Sequence, residues 1–354
     1  RVGVFVGLYN DNYGMITRGS PDPARIGGWS ASGTHTSVAA GRIAFTFDFT
    51  GPAVSVDTAC SSSLVAVHLA IQSLRAGECE LAIAGGVHLL LSPLGLVASS
   101  KLGAASPDSR CKPFDARADG FGHAEGCGVV VLRRLGDGGV GRVRAVVSGS
   151  AVGQDGRSAG LTAPSGPAQV AVVRAALADA GLAAAAVDAI EAHGTGTALG
   201  DPIELHALAE VFAGRERPLW VGSVKSNIGH AEAAVLDGGL VQQITRTAPP
   251  AARLARPVDG GAAARLRPDR HRHRPGDPCR RFQPGRGGHG QRRSRHADHV
   301  QQSLRNRHRK LARKKGCLFG QPFQFLLSIR IYSNPTKSRF DTAPDIASTR
   351  GENR

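Results

Sequence analysis

Four side chains with the chemistry to act on a substrate stand out because small residues surround each of them. They are one thiol, two imidazoles and one ammonium group: Cys60, His193, His230 and Lys225. A thiol can serve as a nucleophile, while imidazole and ammonium groups can move protons or donate hydrogen bonds to negative charge. This set predicts a nucleophilic active site, provided that the fold brings the four side chains into one cleft.

The segment DTACSSSL (57–64) places Cys60 between a predicted strand, 53–57, and a helix with apolar residues from Leu64 to Leu74. Unpaired N–H groups and the dipole at a helix N-terminus stabilise a thiolate, so we expect a lowered pKa for Cys60. The small neighbours permit a tight turn and close approach of a substrate. The alternative is a buried structural cysteine, which is a common role for this residue.

His193 follows a predicted strand, 189–192, at the start of a loop rich in glycine and threonine. Catalytic groups of open α/β sheets gather at the carboxyl ends of strands. The alternatives are a histidine bonded to a loop carbonyl and a phosphate-binding loop, although Gly-x-Gly-x-x-x-Gly is not the dinucleotide fingerprint. The next helix is predicted to begin with Asp201 as its N-cap and Glu204 as the partner in a capping box.

The third segment, KSNIGHAE (225–232), also follows a predicted strand, 219–224, and carries Lys225 and His230 at the expected edge of the sheet. The alternative is a solvated lysine beside a loop histidine that has no chemical role.

Because neither Cys-x-x-Cys nor His-x-x-x-His occurs in the chain, the sequence predicts no metal site.

Predicted strands and helices alternate through the first part of the chain. Further strands are expected at 81–84, closed by Gly85 and Gly86, and at 127–132, with a helix over 167–182. Alternation of this kind predicts a layered α/β fold with a mainly parallel sheet. Since the carboxyl ends of parallel strands share one edge, the three segments are expected to meet there.

Charge divides the chain in two. Residues 1–247 contain 19 Lys and Arg against 21 Asp and Glu, a net charge of −2, whereas residues 248–354 contain 25 against 7, a net charge of +18. We predict one domain over 1–246 and a disordered, low-complexity basic tail over 247–354. Such a tail could bind polyanions by counterion release, but its scarcity of aromatic residues does not favour a nucleic-acid role.

The sequence predicts a cytoplasmic protein. No apolar run approaches the roughly 18 residues of a membrane span, and the opening RVGVFVG does not resemble a signal peptide. The six cysteines include no Cys-x-x-Cys pair, which favours a reducing compartment over a disulfide framework.

Six segments, in this order, resemble the β-ketoacyl synthase (ketosynthase) domain of type I polyketide synthases. They are VDTACSSSLVAVHLA (56–70), SPDSRCKPFDARADGF (106–121), EGCGVVVLRRL (125–135), GLTAPSGPAQ (160–169), EAHGTGTALGDPIE (191–204) and KSNIGHAEAA (225–234). The resemblance covers roughly residues 2–234. It implies a thiolase-like fold, in which two similar βαβαβ halves form five layers, and a homodimer.

The resemblance also implies a decarboxylative Claisen condensation in polyketide or fatty-acid-like chain elongation. Cys60 would take an acyl chain from an acyl carrier protein, and His193 and His230 would hydrogen-bond the carbonyl of a malonyl-type extender. Lys225 would order the two histidines. The substrates are thioesters on the phosphopantetheine of carrier proteins, and no cofactor or metal is implied.

The sequence departs from the family pattern at both ends. The family's first strand is expected before Arg1, and the family's Ser-Ser-Phe-Gly-x-Gly-Gly-Thr-Asn loop, which supplies an oxyanion-hole N–H, is not readable after Ala234. A reading frame shifted by one base over residues 281–292 can encode a sequence close to that loop. We therefore hypothesise that the tail is translated out of frame. Two alternatives to a condensing enzyme follow: an inactive truncated or frameshifted remnant, and a thiolase-type enzyme with a second catalytic cysteine.

Overall fold

The structure, a computed structural model, describes most of the chain up to residue 237 and two short segments beyond it. The described ranges are 1–9, 12–19, 22–138, 143–237, 264–266 and 325–331. The strands are β1 (Val2–Leu8), β2 (Ala53–Val56), β3 (Leu81–His88), β4 (Gly126–Leu132), β5 (Ala145–Val152), β6 (Ala189–Glu191), β7 (Leu219–Gly222), β8 (Ala264–Leu266) and β9 (Phe325–Ile331). The helices are α1 (Asn12–Arg18), α2 (Ser30–Thr34), α3 (Val38–Phe47), α4 (Ser62–Arg75), α5 (Leu94–Leu102), α6 (Gly166–Asp179), α7 (Gly200–Val211) and α8 (Lys225–Ile228). Short 3₁₀ turns lie at Pro23–Arg25, Ala59–Ser61, Ala184–Ala186 and Glu232–Asp237.

The first sheet has the strand order β2-β1-β3-β4. Strand β1 pairs in parallel with both β2 and β3, while β4 joins β3 in the antiparallel direction. Helix α3 covers one face of β1 through Ala40 and Ala44, which pack on Val4. The β2 strand ends at the turn that carries Cys60, so this sheet fixes the position of the thiol.

Helix α4 packs on the sheet through small and branched apolar residues. Val67 and Ala70 belong to the same buried cluster as Phe5 on β1 and Ala82 on β3. The close approach requires glycine at position 7, since an added Cβ there would lie 2.4 Å from the backbone of Ser62 and Ser63. The first turn of α4, directly after Cys60, is therefore held against β1 without an intervening side chain.

Strand β3 continues through Gly85 and Gly86 to His88, so the prediction that the glycines end this strand is wrong. A Cβ on Gly85 would lie 2.2 Å from the carbonyl oxygen of Gly128 on β4. A Cβ on Gly86 would lie 2.3 Å from the carbonyl oxygen of Ala233. These glycines are needed because other backbone approaches the strand closely, and they do not mark a turn.

The second half of the described chain builds a smaller layer on β6 and β7, which pair in parallel. Helices α6 and α7 cover these strands with a core that includes Val173, Leu177, Ile190, Leu208 and Leu219. Strand β8 pairs with β7 and β9 pairs with β5, both in the antiparallel direction. The layered α/β prediction agrees with this architecture. Three of the six strand pairings in the described ranges are antiparallel, so two of the three sheets there are mixed and the β5-β9 sheet is antiparallel.

Two segments within the predicted tail are strands, and the assignment of 247–354 as a disordered tail stays a prediction. Residues 264–266 and 325–331 are the strands β8 and β9, and the second of them, FLLSIRI, has the apolar, β-branched composition of a strand. The rest of the predicted tail, including 281–292, lies outside the described residues. Among the described helices, none has both the length and the apolar character needed to cross a bilayer.

Candidate active site

Cys60 lies in the 3₁₀ turn between β2 and α4. The residue before it, Ala59, has a φ of 54°, a left-handed conformation that is costly for a residue with a side chain. Asp57 Oδ1 accepts a hydrogen bond from the Ala59 N–H at 3.0 Å. The hydroxyl of Ser62 accepts one from the Thr58 N–H at 2.9 Å and donates one to the Ala59 carbonyl at 2.6 Å. These bonds fix the turn and, with it, the position of the thiol.

The Cys60 thiol is less acidic than expected. Burial raises its pKa to about 11, and the charge of Lys225 and a backbone hydrogen bond at Cys60 oppose this rise only in part. The expectation of a lowered pKa at this helix N-terminus is therefore wrong, because desolvation by burial outweighs the charge of Lys225 and the backbone hydrogen bond. The thiol is stored in its protonated form at neutral pH.

The raised pKa of Cys60 predicts that its rate of reaction with iodoacetamide depends steeply on pH. Because only the thiolate reacts, the rate should rise about tenfold for each pH unit between about pH 7 and pH 9. Peptide mapping by mass spectrometry measures this rate, and Cys127, an exposed cysteine on β4, serves as an internal reference. A rate at Cys60 that stays constant over this range would contradict the assignment.

His193 occupies a loop that two glycines in left-handed conformations shape. Gly194 has a φ of 42° and Gly196 a φ of 80°, and a Cβ on Gly194 would lie 2.7 Å from Cβ of Ser223. The carboxylate of Glu204 accepts hydrogen bonds from the N–H groups of His193 at 2.7 Å and Gly194 at 2.9 Å. The loop is thus held from helix α7, and His193 is fixed at the end of β6.

The capping role predicted for Asp201 and Glu204 is wrong. Helix α7 begins at Gly200, before Asp201, and the Asp201 carboxylate accepts hydrogen bonds from the N–H groups of Gly196 and Phe114 at 3.1 and 2.7 Å. Both carboxylates therefore turn away from their own helix and hold the loop that contains His193. Phe114 itself has a φ of 60°, so this anchor stabilises a second disfavoured backbone conformation.

The two candidate histidines face each other. The ring centroids of His193 and His230 lie 5.5 Å apart, with the ring planes at 85°. The N–H of Glu232 donates a hydrogen bond to Nδ1 of His230 at 3.2 Å, so the neutral imidazole of His230 carries its proton on Nε2. Phe121 packs edge-on against the His230 ring, with centroids 5.1 Å apart.

Both histidines are neutral near physiological pH. Burial, followed by the charge of Lys225, lowers the pKa of His193 to about 3, and burial and the same charge hold the pKa of His230 well below its ordinary value. Neutral imidazoles cannot act as acids at pH 7, but their N–H groups can stabilise an oxyanion. The pair is therefore suited to hydrogen bonding with developing negative charge.

Lys225 is only 3% exposed, so the alternative of a solvated lysine is wrong. It is the first residue of α8, and its charge acts on groups of both signs. Desolvation raises the pKa of Glu191 and Glu204, and the charge of Lys225 opposes this rise in part. The same charge reaches the Cys60 thiol and both histidines. Lys225 is therefore the electrostatic centre of the site.

The structure brings His193 and His230 face to face, and the charge of Lys225 acts on both imidazoles and on the Cys60 thiol. The segment after Cys60 and the turn after His230 approach each other at Gly86. A Cβ on this glycine would meet both Ala233, in the turn after His230, and Ser63, in the first turn after Cys60. The roles of the four residues remain predictions. Sequence reasoning missed Glu191, whose Oε1 accepts a hydrogen bond from the N–H of Val224 at 2.7 Å. Its only sequence signal is an acidic residue at the end of a buried strand.

The raised pKa of Glu191 predicts that the folded protein loses stability as the pH rises. Burial raises its pKa from 4.5 to about 7. The folded state therefore holds a proton that the unfolded state releases, and stability falls as pH rises from about 4.5 to 7. The variant E191Q should gain stability relative to the wild type, by up to about 3 kcal/mol more at pH 8 than at pH 4.5.

Urea unfolding of both proteins at the two pH values measures this difference. The variant E216Q, at an exposed glutamate, is the matched control and should show the same difference from the wild type at both pH values. An E191Q effect that does not change with pH would contradict the buried-acid interpretation.

Comparisons with known proteins show the family to which the chain belongs. The family models "Beta-ketoacyl synthase, N-terminal domain" and "Beta-ketoacyl synthase, C-terminal domain" match residues 1–138 and 144–245. The chain is 55% identical over 249 residues to the spectinabilin polyketide synthase system protein NorA of Streptomyces orinoci, covering 69% of this chain and 13% of that protein. It is 54% identical over 249 residues to mycoketide-CoA synthase of Mycobacterium tuberculosis, covering 68% and 6%.

Solved structures of ketosynthases share the fold. The ketosynthase from module 6 of the bacillaene synthase of Bacillus subtilis 168 has a TM-score of 0.63 and 37% identity, covering 70% of this chain and 42% of that chain. The oxazolomycin ketosynthase domain OzmH KS7 of Streptomyces albus JA3453 has a TM-score of 0.63 and 39% identity, covering 70% and 43%. The chain thus spans less than half of these structures and about an eighth or less of the two relatives above. Its fold is thiolase-like, and the chain belongs to the β-ketoacyl synthase family, as a ketosynthase domain of the polyketide synthase type.

Proposed function

We propose that this protein catalyses the decarboxylative Claisen condensation of polyketide chain elongation. The observation that carries the proposal is the facing pair of neutral imidazoles, His193 and the buried His230, beside a lysine whose charge also reaches Cys60. A thiol, two N–H donors and a fixed positive charge are the groups that such a condensation needs.

The first half-reaction is acyl transfer. The sulfur of Cys60 attacks the carbonyl carbon of an acyl thioester on a carrier protein, and the carrier's thiol leaves with the proton that Cys60 gives up. The product is an acyl-Cys60 thioester. Lys225 favours this step because its positive charge stabilises the thiolate.

The second half-reaction forms the carbon–carbon bond. A malonyl-type thioester on a second carrier loses CO₂, and the enolate oxygen accepts hydrogen bonds from the N–H groups of His193 and His230. The enolate carbon attacks the carbonyl carbon of acyl-Cys60 and releases the Cys60 thiolate, which recovers a proton. The chain, now a β-ketoacyl thioester, remains on the second carrier.

The partners follow from this chemistry. We propose an acyl carrier protein domain as the source of both thioesters, a second copy of the chain in a homodimer, and the cytoplasm as the compartment. Decarboxylation drives the bond formation, so the proposed reaction uses no cofactor or metal.

The match to both family models favours this function over an inactive remnant. The thiolase-type alternative would need a second catalytic cysteine late in the chain, and both candidates there, Cys279 and Cys317, lie outside the described residues.

A two-stage assay on the full chain tests the proposal. Incubation with an acyl thioester should add one acyl group to the peptide that contains Cys60, as measured by mass spectrometry. Addition of malonyl-loaded carrier protein should then remove that group and yield a β-ketoacyl carrier. A folded protein that takes up no acyl group at Cys60 would overturn the proposal.

A further inference from the structure

A second group of ionisable side chains lies behind His230, and no step of the proposed reaction uses it. The group consists of His88, His123 and Glu232, whose side chains are 1%, 9% and 4% exposed. A hydrogen bond joins Nδ1 of His123 to Oε1 of Glu232, and Nε2 of His88 lies 3.7 Å from the same oxygen. Burying an ionisable group destabilises the fold unless the group is paired, so we expect a function that would explain this arrangement.

The hydrogen bonds around His123 define where protons reside. The hydroxyl of Ser99 donates to the carbonyl of Gly95 at 2.6 Å, so at its 2.7 Å contact with Nε2 of His123 it acts as the acceptor. Nε2 therefore carries a proton, and one further proton is shared between Nδ1 and the Glu232 carboxyl group. The two side chains form a hydrogen-bonded unit with no net charge.

This unit adjoins His230 on two sides. Glu232 has a φ of 48°, which is disfavoured outside glycine, and its N–H donates to Nδ1 of His230 in that conformation. On the other side, the backbone of His230 donates to the Gly122 carbonyl at 2.7 Å and accepts from the Ala124 N–H at 3.0 Å. His123 lies between these two contacts.

We infer that His123 and Glu232 are positioning residues for His230. This inference rests on the proposed function. The bond between their side chains holds residue 232 in the left-handed conformation, and only there does its N–H reach Nδ1 of His230. Without that N–H, the His230 imidazole is free to place its proton on Nδ1, which removes the donor that faces the enolate.

His88 is not part of the inferred unit. Its ring stacks on Tyr9, with centroids 5.5 Å apart and planes at 8°, and its nitrogens have no hydrogen-bond partner within the part of the chain that the structure describes. The inference therefore depends on the His123–Glu232 bond alone.

A matched pair of amide substitutions tests the inference in the full chain. In H123N the amide nitrogen lies close to the position of Nδ1 and can still donate to Glu232, whereas in H123Q it reaches the position of Nε2 and bonds to Ser99 instead. We expect H123Q to lower the condensation rate about 10- to 100-fold and H123N to stay within about threefold of the wild type. Acylation of Cys60, which does not need His230, should change less than about twofold in both.

Imidazole ¹⁵N NMR of the protein labelled at histidine provides a second measurement that does not depend on turnover. His230 should be the Nε2–H tautomer in the wild type, in H123N and in the exposed-histidine control H206N, and a mixture of tautomers in H123Q. If H123Q keeps the wild-type tautomer and condensation rate, the inference is wrong. If the wild type neither acylates nor condenses, the proposed function fails, and the NMR comparison still decides the positioning role.

Discussion

Replacement of Cys60 by serine should abolish acylation of the protein, with a loss on the order of 10⁴-fold or more. The thiol is itself a weak acid here, with a pKa of about 11, and a hydroxyl in the same place would ionise far less. The neighbouring imidazoles cannot compensate as general bases, because burial lowers the pKa of His193 and of His230 and makes both of them weak bases. The electrostatic support from Lys225 is matched to a thiolate and is too small to generate an alkoxide.

The measurement is the mass shift of the Cys60 peptide after incubation with an acyl thioester. C127S is the matched control, because Cys127 is an exposed cysteine on β4 and its loss should leave acylation unchanged. Both variants should keep the wild-type melting temperature, since the hydroxyl fits the space of the thiol. Uptake of an acyl group by C60S, or its loss in C127S, would refute the assignment of the nucleophile.

Removal of either histidine should slow decarboxylation and condensation by about 10²- to 10³-fold, the usual cost of losing one oxyanion donor. The variants H193A and H230A should both show this loss while Cys60 is still acylated. Since the two N–H groups serve the same enolate oxygen, the double variant should lose less than the product of the single effects. A reaction limited by neutral donors should also be independent of pH across the range from about 6 to 8, because burial keeps the pKa of His193 near 3.

Release of labelled CO₂ from a malonyl thioester measures the step directly. H206A is the control, because His206 lies exposed on α7 and outside the site. If H193A and H230A release CO₂ at the wild-type rate, other groups stabilise the enolate, and the role proposed for the two histidines is incorrect.

The sequence predicted the elements whose signals are local. Helix α4 and the strands β2 and β4 were expected within a few residues of their observed bounds, because apolar periodicity and β-branched runs mark them. The end of β3 was not predictable, because a glycine pair looks the same whether it makes a turn or admits a neighbouring backbone. The difference depends on β4 and on Ala233, which lie far along the chain.

Local sequence signals revealed some residues of the candidate site and missed others. The four reactive residues could be found because each follows a strand in a segment of small residues. The supporting residues could not, because Asp201 and Glu204 fit a local capping pattern that tertiary hydrogen bonds override. The acidity of Cys60 was mispredicted because burial is a property of the folded chain. The bond between His123 and Glu232 joins positions 109 residues apart, and no local pattern signals it.

The buried ammonium of Lys225 has a consequence for protein engineering. Because this one charge acts on the thiol, both imidazoles and the surrounding carboxylates, a substitution at any of them changes the working conditions of the others. The effects of substitutions at these positions will therefore be non-additive, and variant libraries should change these positions together rather than one at a time. New acyl-chain preferences are better sought among residues that this charge does not reach.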